Sequence, residues 1–337
     1  MAKKIINPRL NAVGGQAVIE GVMMKHKDNY AITVRKPDDS IDVKTYKFSS
    51  IRKKSKILRL PIIRGFMNFI DMMILSYGTL NKATEMLGIV EEEEGKFEKW
   101  LKKNFGASIL GFVMVIATIL SLVLAAGMFI LLPTAAGGLI NSQIELGWSR
   151  AFVEGIVRVI ILVLYLYFVS LIPDMKRVFQ YHGAEHKSVF CYEAGVDMTV
   201  ENSKTYKRFH PRCGTSFLFV LIIVSVVVSS FIPFTDVWLR TATKILVSPL
   251  IIGLGYEFLM YAGKHDNKLV KILTAPGLWM QRITTKEPDD KMLEVAIISL
   301  KSAMPDEFTN FTPPVSEVRE AENLENTNNE ETVKDSE

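Results

Sequence analysis

Four long apolar runs, Ala107–Leu132, Ala151–Ile172, Thr215–Phe231 and Ile245–Ala262, constrain this chain more than any other feature. Each approaches the ~20 residues a helix needs to cross a ~30 Å hydrocarbon layer. The first and third hold no ionisable residue and lack the polar stripe of a surface helix. Mean hydropathy is +0.21 although 23% of residues are charged, so charge and apolarity occupy separate stretches. The expected fold is a polytopic α-helical membrane protein with about four transmembrane helices and a small N-terminal β-rich cytoplasmic unit.

Basic residues set the orientation. Lys96, Lys99, Lys102 and Lys103 precede the first run, and Lys176, Arg177, Lys187, Lys204, Lys207, Arg208 and Arg212 fill the segment between the second and third. The link at 133–150 has only Arg150, and the link at 232–244 only Arg240 and Lys244. The positive-inside bias places both termini and the middle loop in the cytoplasm of a bacterial cell (inner) membrane. The basic N-terminus MAKKIINPRL has no apolar core with a small-residue cleavage site, so no cleavable signal peptide is expected. The net charge of +4 is modest and sits beside the spans, which points to the bilayer and its anionic lipid headgroups as partners, not to nucleic acid. Cys191 and Cys213 fall in the cytoplasmic loop, where a reducing compartment argues against a disulfide.

The chain divides into segments. Residues 1–50 form the β-rich unit: a turn is expected at Gly14–Gly15, and a hairpin from Tyr30–Arg35 and Ile41–Phe48 around Lys36–Ser40. Residues 51–106 comprise an amphipathic helix over Pro61–Leu87, on the membrane or against the bundle, and an acidic linker at Glu91–Glu94. Residues 107–262 hold the four spans with a His/Cys loop at 173–214. Residues 263–312 form a C-terminal cytoplasmic segment: a juxtamembrane helix over Lys264–Thr274, a compact loop at Pro276–Lys286 and an amphipathic helix over Asp289–Met304. Residues 313–337 are Glu/Asn/Thr-rich and expected to be disordered. No internal repeat suggests inverted-repeat transport.

Three of the five histidines lie in one loop, in Tyr181-His182-Gly183-Ala184-Glu185-His186-Lys187 and Phe209-His210-Pro211-Arg212-Cys213-Gly214. Asp174–Ala194 has helical composition and ends at Gly195, suited to a cap. On that helix His182 and His186 are four apart and share a face. Glu185 flanks it, giving H-x-x-E-H, the inverted zinc-protease arrangement with Glu as general base. Glu193 returns to the same face but lies ~10 Å along the axis from His186, which suits a supporting or substrate role. Cys191 points away and reads as a small buried hydrophobe. His210 and Cys213 offer the imidazole and thiolate of a zinc-type site. The competing view is a polar membrane-surface helix whose histidines only pack.

The strings GGQAVIEGVMM, YHGAEHK, HPRCGTSF and PGLWMQRITTKEPDD resemble the YqhQ-like bacterial membrane proteins, domain-of-unknown-function family 1385, over roughly Asn11 to Ser302. The family is described as predicted metal-dependent enzymes of unknown reaction. The resemblance implies that His182, Glu185, His186, His210 and Cys213 are the functional positions, and says nothing of substrate.

Three functions compete. One is a zinc-dependent hydrolase at the cytoplasmic face: His182, His186 and one of His210 or Cys213 hold the metal and Glu185 acts as base. Arg212 and Glu257 are further candidates for substrate or supporting contacts. The second is a scaffold or assembly factor with a closed four-ligand site, docking a protein partner at the cytoplasmic face. The third, transport, rests on the intramembrane charges Glu154, Arg158 and Glu257. Glu154 and Arg158 are expected to pair along their helix, and Glu257 to reach toward water or the metal.

Overall fold

A computed structural model describes Arg9 and residues 12–88, 108–211, 213–262 and 267–313. Arg212, Lys264, the Glu91–Glu94 run, the Lys96–Lys103 cations and the tail beyond Pro313 lie outside the described residues.

Four strands, β1 (Val13–Val18), β2 (Gly21–His26), β3 (Asn29–Arg35) and β4 (Ile41–Lys47), form an antiparallel sheet in sequence order. The hairpin expected around Lys36–Ser40 joins β3 to β4. Gly14 and Gly15 are not a turn; they lie inside β1, paired with Lys25 and Met24. Gly21–Met24 and Tyr30–Val34 are buried throughout, because helices cover both faces. On one face Val22, Met24 and Ala31 pack with Tyr181, Ala184 and Val189 of α5 and with Leu293, Ala296 and Leu300 of α10, two helices bounded below. On the other, Met23, Ile32 and Val34 meet Leu75, Ala83 and Met86 of α1 (Ile63–Met86).

The apolar middle of the chain is helical. α2 (Ser108–Ala126) passes through a π turn, Gly127–Leu131, into α3 (Leu132–Asn141), and α4 is Arg150–Val169. After α5 (Pro173–Ala194) and the short α6 (Val200–Lys204) come α7 (Gly214–Ser230) and α8 (Val237–Ala262). Among the described residues three helical stretches are long and apolar enough to cross a membrane: Val115–Asn141, Gly147–Val169 and Val237–Ala262. α7, the third of the four expected spans, is equally apolar but 17 residues long.

Two boundaries move because charges are neutralised by tertiary contacts. α8 starts before Arg240 and Lys244, which the sequence places in a link; both are buried against Glu154. Glu154 Oε1 accepts from Arg240 Nε (2.9 Å) and Arg150 Nε (3.1 Å), and Oε2 from Lys244 Nζ (2.5 Å). Arg158, expected to be its partner, turns instead to the Phe129 carbonyl (2.7 Å) and Ser225 Oγ (2.6 Å). The reason lies four residues beyond Phe129. Pro133 has no N–H and its ring crowds the carbonyl at i−4, so the π turn opens there and Phe129 oxygen takes its proton from Arg158.

The C-terminal part is α9 (Lys268–Thr284) and α10 (Asp290–Ser302). α9 runs through Pro276, where the sequence predicts a loop. Gly277 lets it press on α7: a Cβ there meets Ser216 Cα at 2.6 Å. Asn267 and Asp289 cap the two helices through the N–H groups of Val270 and Met292. Cys191 is buried in the core shared by α5 and α10, as expected, and burial raises its pKa.

Candidate metal centre

α5 carries the site. Pro173 opens it at a position that needs no N–H, and Gly195, at φ 75°, closes it in a left-handed conformation. One turn apart, the rings of His182 and His186 stand edge to face, 4.5 Å between centroids. Each ring is oriented from outside. His182 Nδ1 lies 2.9 Å from the Thr284 carbonyl, and His186 Nδ1 faces the Arg208 carbonyl. A carbonyl only accepts, so each Nδ1 carries a proton and Nε2 is the nitrogen left to face a metal ion.

The third group comes from the turn before α7. Cys213 is the N-cap of α7, at the positive end of its dipole. Its sulfur is 3.2 Å from His182 Nε2. Ligand atoms of His182, His186 and Cys213 all lie within 4.8 Å of one another. Bonds of ~2.0–2.1 Å to nitrogen and ~2.3 Å to sulfur on one tetrahedral ion put the two ligand atoms ~3.5 Å apart. The donor set and spacing therefore fit zinc or a similar ion. Gln281 of α9, fully buried, locks the turn: its Oε1 accepts from His210 N (2.7 Å) and its Nε2 donates to His210 O (2.8 Å).

Glu185 faces β1. Its carboxylate is buried, 4.0 Å from His182 Nε2, and accepts from the Gly15 backbone N–H. Burial raises its pKa, with His182 and the Gly15 bond opposing. Gly15 makes the approach possible, since a Cβ there stands 2.8 Å from Glu185 Cγ. Gly183 serves the other flank: a Cβ there meets the Lys286 carbonyl at 2.0 Å. Glu20, from the same N-terminal string, binds Arg177 and accepts from Tyr181 (3.3 Å), fixing the sheet to α5.

The remaining sequence candidates fall elsewhere. His210 Nε2 is 3.6 Å from Glu193 Oε2, its ring against Phe190 and 5.5 Å from that of His186. Glu257 is held by Arg64 through two bonds (2.7 and 2.5 Å) and by Ile62 N–H. Gly15, Gln281 and the carbonyls of Arg208 and Thr284 were not singled out from sequence. Backbone carbonyls carry no residue-type signal, Gly15 reads from sequence only as part of a turn, and Gln281 lies in a string noted only for its resemblance.

The three ligand-bearing side chains, Glu185 and His210 open onto a cavity of about 600 Å³. Phe69, Met72 and Leu75 of α1, Phe217 of α7 and Tyr256 and Leu259 of α8 form its apolar wall, and Lys25 stands at one side.

The family model described as "Protein of unknown function (DUF1385)" matches residues 60–306. The chain belongs to this family. It is 36% identical over 305 residues to "Uncharacterized protein YqhQ" of Bacillus subtilis (strain 168), covering 90% of this chain and 95% of that relative. No solved structure matches. The DUF1385 match takes in His182, Glu185, His186 and Cys213 but starts after the sheet that supplies Gly15 and Glu20.

Proposed function

We propose that the protein is an integral membrane, metal-dependent hydrolase working at the cytoplasmic face of a bacterial inner membrane. The observation that carries the reading is a three-donor cluster, His182, His186 and Cys213, with each imidazole Nδ1 bound to a carbonyl and a buried carboxylate alongside. Three ligands leave a fourth position for water, the pattern of catalytic zinc. A bound zinc ion supplies Lewis acidity and an acidified water. The chain does the rest. The carbonyls of Thr284 and Arg208 hold the rings of His182 and His186 through Nδ1, so that Nε2 is the nitrogen turned to the metal position. Glu185 takes a proton from the attacking water and returns it to the leaving group. The apolar wall and the covering sheet limit competing water.

Membrane insertion is supported by the three long apolar helices, which expose Leu120, Leu122 and Leu124 on α2 and Phe152, Ile156 and Ile160 on α4. We read α7 as a fourth crossing. Its first residue follows Cys213 at the site, and near its other end the Ser229 carbonyl accepts from Arg240 (3.1 Å), beside the start of α4. At ~1.5 Å per residue it covers ~26 Å. Four crossings return the chain to the side where Lys and Arg concentrate.

Glu185→Gln tests the reading. It keeps shape and metal while removing the base, a loss of ~10²–10⁴-fold in rate. The strain is expected to behave as a deletion strain with normal protein level and about one metal equivalent per chain, whereas His186→Ala loses the metal. A silent Glu185→Gln beside a defective His186→Ala overturns the hydrolase. One observation favours a structural site: the His210 ring, 5.5 Å from that of His186, would supply a fourth ligand by rotating off Glu193. The ligand count from X-ray absorption separates three from four.

A further inference from the structure

Six basic residues, from β2 to the first turn of α1, converge on one place. The β2–β3 turn, the segment at 48–59 and the first turns of α1 enclose a second cavity of about 510 Å³. Lys25, Lys27, Arg52, Lys53, Arg59 and Arg64 line it, against only two carboxylates, Asp28 and Asp71. Both carboxylates are engaged, Asp28 by Lys53 (2.7 Å) and Asp71 by Ser50 Oγ (2.5 Å) and Ile51 N (3.0 Å). Arg64 is committed to Glu257. Lys25, Lys27 and Arg59 make no ion pair with a carboxylate among the described residues. Burial, opposed by Asp28 and aided more weakly by Lys53 and Arg52, lowers the pKa of Lys25.

This cavity adjoins the metal cavity: Lys25, Lys27, Asn68 and Met72 line both. Side by side, the two offer a basic end, an apolar wall and the metal-site side chains. Ile57 and Leu60 stand exposed beside the cations, 64% and 51% accessible. Apolar side chains flanked by Lys and Arg suit the headgroup layer of a bilayer.

We propose that the basic cavity is the phosphate subsite of the metal centre, holding the headgroup phosphate of an anionic phospholipid whose apolar part lies along the α1 and α8 wall. What happens at the metal rests on the hydrolase reading; the binding itself does not.

The test titrates purified full-length protein in non-ionic detergent with short-chain phosphatidylglycerol, short-chain phosphatidylcholine and inorganic phosphate, followed by calorimetry. Phosphatidylglycerol is expected to bind saturably and about tenfold or more tighter than phosphatidylcholine. Lys27→Gln and Arg59→Gln should each weaken it by about tenfold, the loss expected for one hydrogen bond to a charged group. Lys54→Gln and Lys56→Gln, exposed cations outside the cavity, should leave it unchanged. Inorganic phosphate binding as tightly, with the same sensitivity to the variants, overturns the lipid assignment in favour of a soluble phosphate compound. Equal weakening by all four variants, or by none, overturns the subsite. Unfolding midpoints equal to wild type confirm that the variants fold. His186→Ala separates this proposal from the hydrolase reading: it should lose metal and keep lipid binding. Absent lipid binding with metal retained counts against the subsite alone.

Discussion

Adjacent glycines in β1 should respond oppositely to the same substitution. At Gly15 a new Cβ stands 2.8 Å from Glu185 Cγ, 2.9 Å from its Cδ and 2.8 Å from Met24 Sδ. Carbon contacts settle at ~3.5–4.0 Å, so one of these groups must retreat by about 0.7 Å or more. Met24 is fully buried and has little room, which passes the displacement to Glu185. Overpacking of this kind costs ~1–3 kcal/mol. At ~2–4 °C per kcal/mol for a chain of a few hundred residues, the unfolding midpoint of Gly15→Ala should fall by about 2–12 °C. The functional loss should be larger, because moving a catalytic group by up to 1 Å costs up to ~10²-fold. Metal content should stay near wild type. Gly14→Ala meets nothing within 4 Å and should be neutral or slightly stabilising. Thermal unfolding in detergent, metal analysis and complementation of a deletion strain provide the readouts. Identical behaviour of the two variants would refute the argument that β1 is glycine-rich to admit the carboxylate.

Three further outcomes follow from other contacts. Glu154→Gln removes the one carboxylate shared by Arg150, Arg240 and Lys244 and should destabilise the bundle by ~3–5 kcal/mol, read as a lower detergent unfolding midpoint; an unchanged midpoint would mean the cluster is solvated. Gly183→Ala forces the Lys286 backbone away and loosens the Thr284 carbonyl behind His182, so zinc affinity should drop by ~10–100-fold in a chelator competition, while Gly78→Ala, which meets nothing, should not change it. Reporter fusions after Ser40, Thr205 and Pro305 should give cytoplasmic signals and one after Ile140 an external signal, and an external signal at Thr205 would invert the proposed orientation.

What the sequence disclosed was local. The i,i+4 histidines, Gly195 as the end of α5 and the β3–β4 hairpin depend on spacing and turn chemistry within a few residues, and they stand where expected. The proximity of Cys213 to the two histidines needed only a loop return. What stayed hidden was set by distant partners. Glu154 prefers cations from α8 over Arg158 because Pro133 leaves Arg158 a carbonyl to satisfy. Gly14–Gly15 resembles a turn until the side chain of Glu185 fills the space above the strand. Pro276 reads as a helix stop until α7 is seen to hold α9 through Gly277 and Gln281. Helix geometry alone sets Glu193 apart from His186, and its contact with His210 depends on where the second loop segment lands.

The sheet has a consequence for the order in which the protein matures. Its inner face is completed by α10, whose Ser299 hydroxyl lies 3.0 Å from both the Val22 and Ala31 carbonyls, more than 260 positions back along the chain. Thr284, which orients His182, comes just before that helix. The strands must therefore wait, one face uncovered, while every apolar helix is synthesised. His182, Glu185 and Cys213 are made well before the segment that frames them. A chain interrupted before Thr284 has these donors without the carbonyl that orients His182, and one interrupted before α10 has them beside a sheet whose inner face is still open.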